Sequence, residues 1–454
     1  MNQRLPPFLS QGEVARLFPV LSTTSREGRT TAVLLACIAR IDELAKALLV
    51  SAGQRVGTRT KIECYTEIVP VNVSANTRER PDGLIVLRTG KREWRAFVEA
   101  KIGNSELDVD QIERYRTLAR DNDVDCVITI SNQFATAPTE HPLKEVRRSR
   151  SRIPVIHWSW MHVLTTSDLL ISQQLVNNHD QLVLLNEFRR FLAHESAGVR
   201  GFDRMPKEWT ELNRLISAGG DVSASSHEAA KVVEAWHQET RDLSLALSRL
   251  TETHVTQRLP RSHLRSLAQR QKDELANLRD NRQLSVSLEI PDAAAPLDVV
   301  ADLARRCIDV GMTLDAPDDR KSGKARVNWL LRQIRQDDVT DLYVRVSWRR
   351  RSASTQHSVS DLRDDAGIVE DGTKHLEAKC FHLFESKRLG IRFTRQSNFI
   401  ADLEQVVPAF YGRYGAGLVA WQRPAPTIKA GKTGSSDVSP ESISEEADSF
   451  VAET

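Results

Sequence analysis

Residues 81–101 read PDGLIVLRTGKREWRAFVEAK, and the fold turns on how this stretch pairs with itself. Asp82–Leu87 and Trp94–Lys101 are two strand-like runs, and Arg88-Thr89-Gly90-Lys91 between them has the composition of a turn. The spacing predicts a β-hairpin. Side chains alternate along a strand, so Glu99 and Lys101 share one face while Val98 and Ala100 point to the other. Asp82 opens the first strand, and closing the hairpin carries its carboxylate toward Glu99.

Working outward, residues 30–52 place Leu34, Ile38, Ile41 and Leu48 on one helical stripe, with Arg40, Asp42, Glu43 and Lys46 elsewhere. Lys61–Val69 has a strand pattern, and the polar residues 72–80 read as a loop. Asp108 to Asp121 is helical, and the Asp108 carboxylate is suited to cap its first turn. Val124–Ile130 is a strand dense in β-branched residues, and Ile153–Ile156 is a further strand running into a helix through His157-Trp158-Ser159-Trp160. Leu182–Leu192 is helical. The order α-β-β-β-α-β predicts an α/β fold built on a mixed sheet, closing near residue 203.

Beyond that point the character changes. Residues 204–282 form a helical segment, with two long helical stretches in 226–280 separated near Leu259-Pro260. Residues 283–423 predict a second α/β domain, with strands at Leu284–Ile290 and Asp341–Trp348 and helices at Leu297–Val310 and Ala325–Gln336. Residues 424–454 are rich in Pro, Ser, Gly and Glu with almost no large apolar side chain, a composition expected to stay disordered.

At 454 residues the chain is too long for one ordinary core, so two domains plus a tail are expected. A formal net charge of +2 gives no global basic field, so any nucleic-acid footprint must be local. Five cysteines, scattered and without a CxxC pair, fit free thiols in a reducing compartment. With no apolar leader and no stretch of about 18 apolar residues, a cytoplasmic protein with no membrane partner is expected.

Two carboxylates brought close raise one another's pKa unless a cation lies between them. Asp82, Glu99 and Lys101 are what metal-dependent phosphodiester hydrolysis requires: anionic ligands for a hard cation and an ammonium to position water or offset phosphate charge. Magnesium is the expected ion, with manganese able to substitute, because it takes one or two carboxylates and fills its shell with water and phosphate oxygens.

The motif Pro81-Asp82 followed by Glu99-Ala100-Lys101 resembles that of the PD-(D/E)xK nuclease superfamily, which has the restriction-endonuclease-like fold. The resemblance covers roughly residues 35–135 and extends to Gln111 and Tyr115, which match the QxxxY motif of several branches. It implies Asp82 and Glu99 as metal ligands, the Ala100 carbonyl as a further ligand, Lys101 as the catalytic lysine, and Gln111 and Tyr115 as supporting residues. It also implies an acidic ligand from the first helix, matched by Glu43, with Asp42 and Glu67 as rivals. The implied substrate is nucleic acid, DNA rather than RNA, and a role in restriction or antiphage defence is compatible with it. The C-terminal region would then recognise substrate, bind a protein partner or form a homodimer.

Simpler readings compete with this one. Asp82 could cap a turn, and Lys101 could pair with Glu99 or Glu106 on a solvated edge. The fold could be kept as a non-catalytic nucleic-acid-binding module, or the chain could serve as a protein-interaction scaffold. The run Arg147-Arg148-Ser149-Arg150-Ser151-Arg152 could neutralise phosphates or be a solvated loop. Trp158, Trp160 and Trp348 are expected in packing rather than base stacking, and His375, Cys380 and His382 lack the second ligand pair of a zinc finger.

Overall fold

The computed structural model describes residues 5–17, 26–72, 80–350, 353–373 and 376–423. The tail expected to be disordered, His375 and most of the loop expected at 72–80 lie outside the described residues.

The N-terminal unit is a mixed six-stranded sheet in the order β1-β2-β3-β4-β5-β6. Its strands are β1 (Leu9–Val14), β2 (Thr60–Pro70), β3 (Gly83–Thr89), β4 (Arg92–Ala100), β5 (Cys126–Ser131) and β6 (Val155–Ser159). The first four pair antiparallel, and β4, β5 and β6 run parallel. The β3–β4 hairpin closes at Gly90, whose φ of 62° is in the left-handed region open to glycine. Helices α1 (Arg26–Ile38), α2 (Asp42–Ser51), α5 (Trp160–Ser172) and α6 (His179–Ala193) share one core with the side of the sheet that carries Val98 and Ala100. Helix α3 (Val109–Asp121) and the short α4 (Lys144–Arg148) cover the other side, where Phe97, Ile112 and Tyr115 pack. Asp108 caps α3 as expected, its Oδ1 accepting from the Asp110 amide at 2.9 Å.

Two details differ from the sequence reading. The single helix expected over 30–52 is two, α1 and α2, with the break at residues 39–41. Strand β1 had no counterpart in that reading. It is an edge strand with two irregularities in its register and alternating exposed residues, too weak a pattern to stand out.

The helical segment consists of α7 (Lys207–Ser217), the 25-residue α8 (His227–Thr251), α9 (Arg261–Arg265) and α10 (Leu267–Asn281), with a two-residue strand β7 (Thr256–Gln257) before α9. The C-terminal unit is a seven-stranded antiparallel sheet in the order β12-β11-β13-β10-β9-β8-β7. Its other strands are β8 (Gln283–Glu289), β9 (Leu297–Asp302), β10 (Cys307–Asp315), β11 (Leu342–Trp348), β12 (Thr355–Ser358) and β13 (Ala378–Arg388), with helices α11 (Gly323–Leu331), α12 (Val359–Asp364) and α13 (Gln396–Arg413).

The helix expected at Leu297–Val310 is instead the β9–β10 hairpin. Leu297, Val299 and Ala301 alternate inward, and Arg306 turns the chain with a φ of 53°. Val299 and Val300 are β-branched, which favours the strand over the helical repeat that the same apolar positions also satisfy. Among the described residues no helix is long and apolar enough to cross a membrane.

Candidate active site

The hairpin register pairs Gly83 with Val98, so Asp82 continues the β3 strand line opposite Glu99. Gly83 itself lies against α1. A Cβ there would fall 2.3 Å from Leu35 Cδ1 and 2.9 Å from the Tyr65 carbonyl oxygen, so a side chain at this position would turn Leu35 aside and press on the β2 backbone. Asp82 Oδ2 accepts from the Ala100 amide at 2.8 Å, tying the two strand ends together. The Ala100 side chain points into the core on the α1 side, and Glu99 and Lys101 take the other face.

Glu99 is 2 % exposed. Its Oε1 accepts from Lys101 Nζ at 2.6 Å, and its Oε2 has no hydrogen-bond partner among the described residues. Lys101 Nζ also donates to Glu27 Oε1 at 3.2 Å. The Lys101 peptide is fixed at both ends: its amide donates to the Ile130 carbonyl at 2.7 Å, and its carbonyl accepts from Trp160 Nε1 at 2.9 Å.

The charges respond to one another. Burial, and then the Glu99 carboxylate, push Asp82 up to about 8. Burial also raises Glu99, although the Lys101 ammonium beside it favours its charged form. Burial would lower the Lys101 pKa, but its hydrogen bond to Glu99 and the charges of Glu99, Glu27 and Asp82 hold it above the ordinary lysine value.

Gln111 and Tyr115 lie one turn apart on α3. Gln111 Nε2 donates to the Tyr115 hydroxyl at 3.0 Å, which donates in turn to the Arg80 carbonyl at 3.2 Å. Tyr115 therefore pins the chain leading into Pro81-Asp82 while lying beside Glu99. Gln111 acts through Tyr115 and makes no hydrogen bond to the carboxylates among the described residues.

The acidic residue that α1 presents to this cluster is Glu27, not Glu43. Glu43 is on α2 with its Oε2 buried and unpartnered, and it makes no hydrogen bond or ion pair with Asp82, Glu99 or Lys101. Asp42 is engaged with Gln181, and Glu67 is an exposed residue of β2 with a φ of 51°. Glu27 was overlooked because an acid in the first turn of a helix is explained by the helix dipole alone. Only the packing of α1 against the β3–β4 end shows its second role.

Among the described residues no group of three or more His, Cys, Asp and Glu side chains is arranged to hold a metal ion by itself. The donor set here is two carboxylates, Asp82 and Glu99, next to the Ala100 peptide. That set fits a hard divalent cation, which takes few carboxylates and completes its shell with water. The buried, unpaired Glu99 Oε2 is the observation that makes the fit, since a buried carboxylate oxygen without a donor is costly.

The remaining candidates sort as follows. Arg147 is bound to the His141 and Pro142 carbonyls, whereas Arg148, Arg150 and Arg152 are exposed. Trp158 and Trp160 are buried, and Trp158 Nε1 donates to Ser51 Oγ at 3.1 Å. Trp348 is buried with its indole donating to Thr355 Oγ1 at 3.1 Å, and the His382 ring lies 2.9 Å from Thr313 Oγ1. No protein-family model matches the chain, and no curated protein or solved structure matches it.

Proposed function

We propose that this protein is a metal-dependent nuclease of the PD-(D/E)xK type, hydrolysing phosphodiester bonds, with DNA as the substrate the motif favours. The observation that carries the reading is Glu99: a carboxylate 2 % exposed, with one oxygen on Lys101, the other without a donor among the described residues, and Asp82 beside it. Asp82 and Glu99 would hold the cation, with the Ala100 carbonyl as the further ligand. A bound divalent cation would supply positive charge to the scissile phosphate and acidify a water.

The chain's own groups have separate tasks. Lys101 places an ammonium next to the carboxylates, where it orients the attacking water or offsets charge developing on phosphate. Glu27 shares that ammonium and limits where it can swing. Tyr115 and Gln111 brace the chain ahead of Asp82. The exposed Arg148, Arg150 and Arg152 offer cations for backbone phosphates away from the cluster.

The test incubates the full chain with linear, circular and single-stranded DNA and with RNA, with and without magnesium or manganese, alongside Asp82→Ala and Lys101→Ala. Cleavage that needs the cation and falls by roughly a hundredfold or more in either variant is the expected result. Salt-sensitive binding of nucleic acid without cleavage, equal in all three proteins, would indicate the non-catalytic module instead. Neither binding nor cleavage of any substrate would leave a protein-interaction role.

A further inference from the structure

A second polar site lies away from Asp82 and Glu99, where the loop after β5 meets the central helices. It is a cavity of about 210 Å³ lined by Thr136, Ala137 and Glu140 on one side and by residues of α8, β7, α9 and α10 on the other. Arg270 of α10 lines it and is completely buried. Its Nε donates to Glu274 Oε1 at 2.8 Å, but Nη1 and Nη2 have no acceptor among the described residues. The other Glu274 oxygen lies 2.6 Å from His237 Nε2, and the ion pair leaves both terminal nitrogens of Arg270 without a partner among the described residues.

Arg241 of α8 also lines the cavity, and its side chain makes no hydrogen bond to another described residue. Gln257 anchors its amide by donating to Thr240 Oγ1 at 3.0 Å. His263, also in the lining, is held by Asp273 at 2.8 Å. Glu140 is the carboxylate of the lining, and the Asp242 carboxylate lies near Arg241. The apolar side of the cavity is formed by Leu259, Leu264 and Leu267.

Buried guanidinium N–H groups with no acceptor are rare, because each keeps its desolvation cost without the compensating bond. The two free ends of the Arg270 fork, with Arg241 lining the same cavity, match the oxygens of a phosphate group, which arginine binds bidentately. The volume is below the roughly 300 Å³ at which drug-sized pockets begin, so the body attached to that phosphate is small and partly apolar. We infer that the Arg241–Arg270 cavity binds a small phosphate monoester at the junction of the N-terminal unit and the helical segment. This inference does not rest on the nuclease reading, since none of its residues belongs to the Asp82–Glu99 cluster.

The test uses the full chain with inorganic phosphate, ribose 5-phosphate and phenyl phosphate as probes and chloride at matched ionic strength as control. Thermal shift and titration calorimetry provide the readouts, on wild type, Arg241→Met, Arg270→Met and Lys101→Ala. At least one phosphate probe is expected to raise the melting temperature saturably, with binding about tenfold weaker or worse in Arg241→Met and unchanged in Lys101→Ala. The Arg241 side chain makes no hydrogen bond to another described residue, so its variant decides the matter even where Arg270→Met folds poorly. The inference fails if no phosphate probe saturates, if Arg241→Met binds like wild type, or if Lys101→Ala loses binding, which would place the anion at the Asp82–Glu99 cluster.

Discussion

Asp82 pays for its position in a way that pH makes measurable. Its carboxyl has an ordinary value of 3.8 and is pushed up to about 8 in the fold, chiefly by burial and then by Glu99. Below pH 3.8 it is neutral in both folded and unfolded chains. As pH rises toward 8 the unfolded chain gives up the proton and the folded chain keeps it, so stability falls through that window and levels off above it. In the absence of divalent cations, denaturant titrations across this range should show the decline, and Asp82→Asn should flatten it. An equally steep decline in the variant would mean that another group is responsible. On the proposed function magnesium would require the ionised carboxylate, so any stabilisation by added magnesium should grow as pH rises. Asp82, Glu99, Lys101 and Tyr115 were legible in the sequence because strand alternation and a one-turn helical spacing place them with no knowledge of the rest. Glu27 was not, because its role depends on how α1 lies across the sheet, which no local pattern encodes.

At the scale of elements, that crossing is set by Gly83. Gly83→Ala would drive a methyl into Leu35 and against the Tyr65 carbonyl oxygen. The leucine can turn aside, but the backbone oxygen cannot. The expected loss is about 1–3 kcal/mol, read from the urea midpoint, and an unchanged midpoint would mean that the β2 backbone can give way at little cost. Elements were readable where one periodicity dominated, as in α3 with its Asp108 cap. They were misread where two periodicities fit the same residues. Leu297–Val310 satisfies both, and the partners that choose between them, β8 and β13, flank it only in the folded sheet.

Across the whole molecule, α8 ties the parts together. Leu245 of α8 is buried in the core that holds α1, α2, α5 and α6, while Val232 and Trp236 of the same helix belong to the C-terminal core. Gln238 Oε1 accepts from the Phe134 amide at 3.3 Å, and Arg249 Nη1 donates to Thr165 Oγ1 at 2.7 Å. A boundary at residue 203, natural from composition alone, therefore cuts a shared core. A fragment of residues 1–203 should expose the apolar surface that α8 covers, and should be digested faster in limited proteolysis than the same residues within the full chain. Equal protection would show that the N-terminal unit stands without α8. The sequence could not signal this sharing, because a long amphipathic helix looks the same whether its apolar stripe meets one core or two.

The hydrogen bond from the Trp160 indole to the Lys101 carbonyl gives the protein a built-in optical probe. The ring is fully buried and touches the backbone that carries the lysine. Any event that moves that peptide should alter the ring's emission, and the difference between wild type and Trp160→Phe isolates its signal from the other seven indoles among the chain's eight tryptophans. If the proposed function holds, occupation of the site by cation or nucleic acid should be visible as a fluorescence change in real time, before any product has formed.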